Sequence, residues 1–188
     1  MTSTNQNTDD LIEQCKARNQ QAQMEVYNRY YKAMFNTAYR IVNKHDEAED
    51  IMQESFLTAF AKLNTLKDNK MFGPWLKRIV VNQSIKEYHR NKSKFEVGLN
   101  EHLYKIPEDK EEQEELSNFI VITDLKNAMA TLKSNYKIIL NLHYIEGYDR
   151  EEICEIMNIS DANCRTMLTR AKARLKQTLL NSRKNKIH

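Results

Sequence analysis

Glycine and proline are scarce in this chain, whose 188 residues include only three glycines and two prolines. Tight β-hairpins need glycine at left-handed positions, and most turn types favour glycine or proline, so this sequence is a poor source of the turns that a β fold requires. Leu, Ile, Met, Ala, Glu, Lys and Gln are plentiful instead, and such residues favour long helices. The sequence therefore predicts an all-α fold.

Charge divides the chain into three blocks. Residues 1–94 have a net charge of +4, residues 95–122 of −6 and residues 123–188 of +5. Domain boundaries fall in polar segments, so we place two small helical domains at 9–94 and 123–183, joined by an acidic linker at 95–122. Two basic lobes around an acidic segment fit a protein that faces a polyanion, although on sequence alone the linker is better explained as a solvated tether.

Helical spacing in the first domain runs from Leu11 to Val42, and a second helix begins near Asp46. The second helix has an apolar stripe at steps of three and four, formed by Ala48, Ile51, Met52, Phe56, Ala59, Phe60 and Leu63. Another face carries Glu47, Asp50 and Glu54 at the spacing i, i+3 and i+7. We call this face the carboxylate ridge; it is either a binding surface or a solvated side of the helix.

A third helix is expected from Trp75 to about Lys94, because Gly73 and Pro74 precede it and the first turn of a helix accepts proline without losing a hydrogen bond. Its apolar side is formed by Trp75, Leu76, Ile79 and Val80. Its exposed side is basic, with Lys77, Arg78, Lys86, Arg90 and Lys94. A basic helix surface of this kind suits contact with phosphates.

After the linker, Ser134 is expected to cap a helix that stops at Gly147, since glycine favours the position that follows a helix. The apolar residues of this helix are Ile138, Ile139, Leu142 and Ile145. A short helix comes next, because Asp149 and Glu152 have the spacing of a capping box and Asn158 ends the apolar pattern.

Ser160 is expected to cap the last helix, whose core stripe is Cys164, Leu168, Ala171, Leu175 and Leu179. From Ala162 to His188 the chain has eight Lys or Arg residues and no Asp or Glu. A short helix, a tight turn and a second helix with polar or basic exposed residues is the helix-turn-helix plan. Candidates for base edges are Asn163, Arg165, Thr166 and Thr169, and candidates for phosphates are Arg170, Lys172 and Arg174.

The sequence lacks the patterns of an enzyme. It has no Gly-rich phosphate loop, and its five histidines, His45, His89, His102, His143 and His188, have no plausible co-ligand spacing. Three cysteines, Cys15, Cys154 and Cys164, form no CxxC pair and are interpreted as small apolar side chains of a reduced protein. We therefore expect no catalytic residue, no metal site and no cofactor.

The chain has no apolar run near the roughly 20 residues that span a bilayer. Its N-terminus, MTSTNQNTDD, has neither the basic start nor the apolar centre of a secretory signal. We therefore expect a cytoplasmic protein that does not insert into the membrane.

Two stretches carry a family resemblance. The first is AEDIMQESF (Ala48–Phe56) followed by Trp75, Leu76, Ile79 and Asn82, and it resembles the second domain of the extracytoplasmic-function sigma factors of the sigma-70 family. The second is YDREEI (Tyr148–Ile153) through Ile159 and Ser160 to RAKARL (Arg170–Leu175), and it resembles the fourth domain. The stretches occur in the family's order and together cover most of residues 10–182. The resemblance implies a sigma2-like helical bundle and a sigma4-like helix-turn-helix domain that catalyse nothing themselves.

The family resemblance also implies partners and sites. The core RNA polymerase, with its β and β′ subunits, would bind Glu47, Asp50, Gln53 and Glu54 through the clamp helices of β′. The −10 promoter element would meet Lys67, Asn69, Phe72, Trp75, Asn82, Lys86 and Arg90, and the −35 element would meet the last helix from Ser160 onwards. An exposed aromatic ring can stack on an unpaired base. Phe72 could serve in that way, whereas Trp75 has a stronger alternative as the core anchor of its helix.

An anti-sigma factor is a further partner that the resemblance implies, and the acidic linker could lie near the RNA path of the polymerase. Some positions depart from the family pattern: Asn163 and Cys164 stand where Thr-Val is frequent, Met167 where arginine is common, and Lys86 where aspartate often occurs. The promoter sequence therefore cannot be carried over.

Two other classes of protein share part of the pattern. An ordinary helix-turn-helix regulator would bind duplex DNA without polymerase, but this interpretation does not explain the family resemblance of the first domain. A helical adaptor would bind only proteins, and strongly salt-sensitive promoter binding would count against it.

Overall fold

The computed structural model describes residues 8–95 and 116–185, and side chains within 8–92 and 122–182. Regular structure in these ranges is entirely helical, which confirms the all-α prediction. Contacts divide the chain into two compact units, Met1–Leu99 and Asn100–His188. Most of the predicted acidic linker lies outside the described residues.

The first unit is built around three long helices. Its elements are α1 (Thr8–Lys16), α2 (Gln20–Val42), α3 (His45–Ala61), two 3-10 turns (Leu63–Thr65 and Asn69–Met71) and α4 (Phe72–Phe95). Helices α2, α3 and α4 pack on one another, and α1 packs on α2 and the second 3-10 turn. Its largest fully buried side chains are Leu11, Ile12, Val26, Leu63, Phe72, Leu76, Val80 and Val81.

The helical spacing of Leu11–Val42 is interrupted between α1 and α2. Arg18 adopts a left-handed backbone conformation with φ of 60°. Asn19 then caps α2, and its side-chain oxygen accepts hydrogen bonds from the N–H groups of Gln21 at 2.9 Å and Ala22 at 3.2 Å. The Asn19 side chain thus supplies acceptors for backbone N–H groups at the start of α2, which have no partner within the helix. The chain can therefore turn here, and α1 packs against α2.

Helix α4 begins at Phe72, before the expected start at Trp75, because Phe72 is itself a core residue. Its ring is fully buried and meets the Tyr30 ring edge to face, with 5.4 Å between the centroids. A Cβ atom on Gly73 would lie 3.1 Å from Cε1 of Tyr30, so glycine at this position permits the close approach of α4 to α2.

The second unit contains α5 (Leu116–Ala130), α6 (Ser134–Leu140), a π-helical turn (Asn141–Ile145), α7 (Arg150–Met157) and α8 (Asp161–Asn185). Helix α5 thus begins inside the range 95–122 that the sequence assigned to the linker. Helix α8 packs against α5, α6 and α7. The buried residues that hold the unit together include Ile138, Ile139, Leu142, Ile153, Cys164 and Ala171.

Two expectations for α6 were wrong. Ser134 is the first residue of the helix, and Lys133 occupies the cap position without a side-chain cap bond. Ile145 is 56% exposed instead of buried. The N–H of Glu146 bonds to the carbonyl of Asn141 at 2.9 Å, so the chain makes a wider turn here than an α-helix does. Because this turn is wider, its last residue, Ile145, no longer lies on the apolar side of the helix.

The caps around α7 and α8 agree with the sequence. Glu152 N–H donates to the Asp149 carboxylate at 2.8 Å, and Asp149 N–H donates to the Glu152 carboxylate at 3.0 Å, which completes the predicted capping box. Asn158 ends α7 with φ of 52°. The hydroxyl of Ser160 accepts from the N–H of Asn163 at 3.3 Å, as expected for the cap of α8.

Candidate nucleic-acid and protein interfaces

The first turns of α8 present polar and basic side chains on one side and apolar side chains on the other. Cys164, Leu168 and Ala171 are buried. The candidate −35 residues are all exposed, and they are Ser160, Asn163, Arg165, Thr166, Thr169, Arg170, Lys172 and Arg174. One helix therefore combines a core stripe with a surface of hydrogen-bonding groups and cations, which major-groove recognition requires.

The two threonines on this surface have their hydroxyl protons committed to the helix itself. Thr166 donates to the carbonyl of Ala162 at 2.8 Å, and Thr169 donates to the carbonyl of Arg165 at 2.9 Å. Each threonine can still offer an oxygen lone pair and a methyl group. They are thus suited to accept a hydrogen bond from a base or to contact a thymine methyl.

Asp161, the first residue of α8, pairs with one arginine on α7 and one on α8. Its Oδ1 lies 2.5 Å from Nε of Arg150 on α7, and its Oδ2 lies 3.0 Å from Nη2 of Arg165. Asp161 was absent from the sequence-predicted site. The signal was available, because an acidic residue four positions before an arginine on a helix is a favourable pair.

The carboxylate ridge lies along α3. Asp50, Gln53 and Glu54 are exposed, whereas Glu47 is half-buried and has partners at both carboxylate oxygens. Lys44 lies 2.7 Å from its Oε1, and Asn91 Nδ2 on α4 donates to its Oε2 at 2.9 Å. Asp50 and Glu54 of the ridge, with Gln53 beside them, are therefore presented to solvent, while Glu47 also connects α3 with α4.

Two family models match this chain, "Sigma-70 region 2" over residues 26–94 and "Sigma-70, region 4" over residues 122–175. The ECF RNA polymerase sigma factor SigW of Bacillus subtilis is 30% identical over 181 residues, which cover 89% of this chain and 94% of SigW. The chain belongs to the ECF RNA polymerase sigma factors. The sigma factor SigM of the same organism is 30% identical over 152 residues, which cover 81% of this chain and 91% of SigM.

Two solved structures share the fold. The sigma factor RpoE of Bartonella quintana, in complex with the anti-sigma factor NepR, aligns with a TM-score of 0.56 and 20% identity, covering 83% of this chain and 95% of RpoE. CnrH in complex with the cytosolic domain of CnrY aligns with a TM-score of 0.54 and 19% identity, covering 94% of this chain and 99% of CnrH. The helical architecture of this sigma factor is thus that of its family.

The structure places the candidate −10 residues of the sigma factor in different environments. Lys67, Asn82, Lys86 and Arg90 are exposed, and Arg90 pairs with Glu87 at 2.8 Å. Trp75 packs against the core with part of its side chain exposed. Phe72 is fully buried, so the expectation that its ring faces a base does not hold in this structure. Its packing against Tyr30 explains the difference.

Asn69, another candidate −10 residue, is bound to α1. Its Nδ2 donates to Oε1 of Glu13 at 2.7 Å, and its Oδ1 accepts from Nζ of Lys16 at 2.8 Å. Hydrogen bonds from Asn69 and then from Lys16 lower the pKa of the Glu13 carboxyl. The amide of Asn69 therefore fixes the second 3-10 turn against α1, which sequence spacing gives no means of predicting.

Exposed apolar side chains are a further feature that sequence reasoning missed. Leu57 on α3 is 71% exposed and lies beside the carboxylate ridge, out of phase with the core stripe. In the second unit, Leu125, Tyr144, Ile145 and Leu180 are also exposed and line an open apolar groove of about 550 Å³ between α5, the π-helical turn and α8. Large exposed apolar side chains at such positions are typical of protein-binding surfaces.

None of the helices in the described ranges of the sigma factor is long and apolar enough to cross a membrane. The described residues also bring no group of three or more His, Cys, Asp or Glu side chains into an arrangement that could hold a metal ion.

Proposed function

We propose that this sigma factor docks on core RNA polymerase through α3, engages the −10 element with α4 and the loop before it, and reads the −35 element with α8. Residues 9–94 would form the polymerase and −10 domain, 123–183 the −35 domain, and 95–122 the acidic linker. The main support for the proposal is the division of α8 into a buried side and an exposed side. The first turns of this capped helix bury Cys164, Leu168 and Ala171 and expose the whole candidate set, and this supports entry into a major groove.

The docking surface for polymerase would be Asp50, Gln53 and Glu54 with Leu57 beside them. Exposed carboxylates attract a basic partner, and burial of the exposed Leu57 would add an apolar contact that charge alone does not provide. Glu47 would contribute less directly, because Lys44 and Asn91 already bind its carboxylate. The partner surface would be the clamp helices of the β′ subunit.

The −10 contacts would come from Lys67, Asn82, Lys86 and Arg90, which are exposed, and from the accessible part of Trp75. Stacking of an aromatic ring on an unpaired base contributes about 1–3 kcal/mol, and a paired duplex offers no such face. Asn69 would reach DNA only after release of its bonds to α1.

The protein would work by binding alone in the cytoplasm, with no catalytic residue, metal or cofactor of its own. Its activity would be controlled by an anti-sigma factor. Support for that partner comes from RpoE and CnrH, which were solved with NepR and CnrY, the first of these partners being named an anti-sigma factor.

Run-off transcription tests the proposal. Purified bacterial core polymerase, with and without this protein, would transcribe fragmented genomic DNA of the source organism, and the 5′ ends would be sequenced. We expect discrete new start sites that share −10 and −35 elements and that weaken steeply with salt. Sequence-specific duplex binding without any start sites would instead identify a helix-turn-helix regulator, and the absence of both activities would favour an adaptor.

A further inference from the structure

One cation of the proposed −35 surface rests on an aromatic ring. Nζ of Lys172 on α8 lies over the ring of Tyr144, 5.2 Å from the ring centroid. An ammonium group within about 6 Å of a ring centroid is attracted by the negative face of the ring. Tyr144 is 57% exposed, and Lys172 is exposed as well. A charged group of the DNA-reading helix is therefore held at the surface by a residue of another element, the π-helical turn.

The neighbouring residue holds the Tyr144 ring in place. The rings of His143 and Tyr144 meet edge to face, with 4.7 Å between their centroids and 73° between their planes. Nδ1 of His143 lies 3.1 Å from the carbonyl oxygen of Tyr148, and it donates to that oxygen because a carbonyl can only accept. The position of the Tyr144 ring is therefore fixed by the segment that precedes α7 as well as by its own turn.

Lys172 lies on the same side of α8 as two candidates for base edges. It follows Thr169 by three residues and Arg165 by seven, and residues at these spacings share one side of a helix. The Lys172 side chain also lines the apolar groove together with Tyr144 and Leu175. Lysine stems lie along apolar surface while their ammonium groups stay in water. The groove and the ring thus direct the Lys172 ammonium along the reading side of α8.

We propose that Tyr144 is a positioning residue for DNA binding, whose ring holds the Lys172 ammonium in place for a phosphate of the −35 element. This inference rests on the function proposed above. A free lysine side chain loses rotamer freedom when it contacts a phosphate, whereas Lys172 has lost part of that freedom before DNA binds. The ring covers one side of the ammonium, and the exposed side keeps N–H donors for the phosphate. DNA that covers the pair excludes water, which strengthens the attraction between cation and ring.

NMR of the free full-length protein tests the contact without DNA. Nuclei above the face of an aromatic ring are shielded, so the Cε protons of Lys172 should resonate upfield of those of other exposed lysines. Tyr144→Leu should remove this upfield shift, and Tyr144→Phe should keep it because the ring face remains. An unchanged Lys172 signal in Tyr144→Leu would overturn the proposal.

Binding of a −35 duplex at several salt concentrations tests the consequence. Lys172→Gln should reduce the slope of log affinity against log salt by about 0.9, the contribution of one phosphate contact. Tyr144→Leu keeps apolar bulk but lacks the ring face, so it should reduce the slope in the same direction and weaken binding about two- to five-fold. In the Lys172→Gln background, Tyr144→Leu should have no further effect, because the cation that the ring would hold is already absent.

Two control variants separate the ring from the rest of the groove. Tyr144→Phe should bind as the wild type does, and Ile145→Ala, which changes an exposed neighbour in the same groove, should also leave affinity and salt slope unchanged. Equal losses from Tyr144→Leu with and without Lys172 would show that the ring acts elsewhere and would refute the positioning role. Failure of the wild type to bind any promoter duplex would refute the proposed function as well, while the NMR signal would still show whether ring and cation meet.

Discussion

Arg150 and Asp161 join the first residue of α7 to the first residue of α8, with 2.5 Å between Nε and Oδ1. The second oxygen of Asp161 binds Arg165, a base-edge candidate. All three side chains are substantially exposed, so this is a surface network that water can enter. Under the proposed function, Asp161 would compete with DNA phosphates for Arg150 and Arg165.

Replacing Asp161 tests this competition. Asp161→Asn should lower the free energy of unfolding by less than about 1 kcal/mol, because exposed ion pairs contribute little. It should strengthen binding of the −35 duplex about two- to ten-fold, a change of roughly 0.4–1.4 kcal/mol, because Arg165 is released and a negative charge near the phosphates is lost. Fluorescence anisotropy would measure the affinity. Glu151→Gln removes the same charge from an exposed position of α7, and an equal gain there would argue against a specific role for Asp161.

Charge reversal on the carboxylate ridge should separate polymerase binding from DNA binding. Asp50→Lys combined with Glu54→Lys should abolish binding to core polymerase and leave binding of the −35 duplex unchanged, because α3 and α8 belong to different units. A pull-down with core polymerase would detect the loss. The control Asp10→Lys with Glu25→Lys makes the same change of charge on α1 and α2. Retained polymerase binding in the first variant would disprove this use of the ridge.

Leu57 should contribute to polymerase affinity without contributing to stability. Since it is 71% exposed, Leu57→Ala should change the free energy of unfolding little, yet it should weaken core binding by about 1–2 kcal/mol if the side chain is buried in the complex. Met24→Ala is a suitable control, because Met24 is 60% exposed on α2. Equal effects of the two variants on core affinity would contradict an apolar contact at Leu57.

The pKa of Glu13 should report the contact between α1 and the second 3-10 turn. A hydrogen bond from Asn69 is the largest cause that lowers the pKa of this carboxyl, so Asn69→Ala should raise it towards its ordinary value. A carboxyl with a lowered pKa stabilises the fold above its unfolded-state pKa and loses that contribution as the pH falls through the folded-state pKa. NMR titration of the Glu13 side chain would measure the shift. An unchanged titration of Glu13 in Asn69→Ala would show that the second 3-10 turn does not bind α1 in solution.

The buried Cys15 thiol should make the first unit less stable in alkali. Burial raises the pKa of Cys15 to about 11, whereas a cysteine in the unfolded chain has a pKa of about 8.5. The unfolded state therefore loses its proton first, and stability present at neutral pH is lost as the pH rises through this window. We expect the free energy of unfolding to fall by about 1–2 kcal/mol between pH 8 and 11, after allowance for partial solvation of the thiol. Urea unfolding of the wild type and Cys15→Ala would be compared, and an identical pH dependence would exclude the thiol as the cause.

Sequence reasoning succeeded where structure depends on near neighbours. The capping box of Asp149 and Glu152, the stop at Asn158 and the cap at Ser160 all follow from residues a few positions apart, and each has the expected geometry. The exposed surface of α8 follows in the same way from its 3.6-residue period. Local rules were therefore sufficient for α7, α8 and the exposed side of α8, whereas the break between α1 and α2 and the helix α5 were not predicted.

Features that depend on distant partners were missed. Phe72 is buried because Tyr30 on α2 covers it, and Asn69 is fixed by side chains of α1, from which α2 and α3 separate it in the chain. Ile145 is exposed because a π-helical turn changes the register of one segment, which an α-helical period does not anticipate. The carboxylate ridge was located correctly as a helix face, but the role of Asn91 in holding Glu47 could not be predicted from spacing along α3.

The bond between Asn91 and Glu47 would complicate a genetic dissection of this protein. It ties a residue on the helix that would hold DNA to a residue on the helix that would hold polymerase. Alleles of Asn91 selected for defective promoter use would also remove a partner of Glu47, so their phenotype would not report on α4 alone.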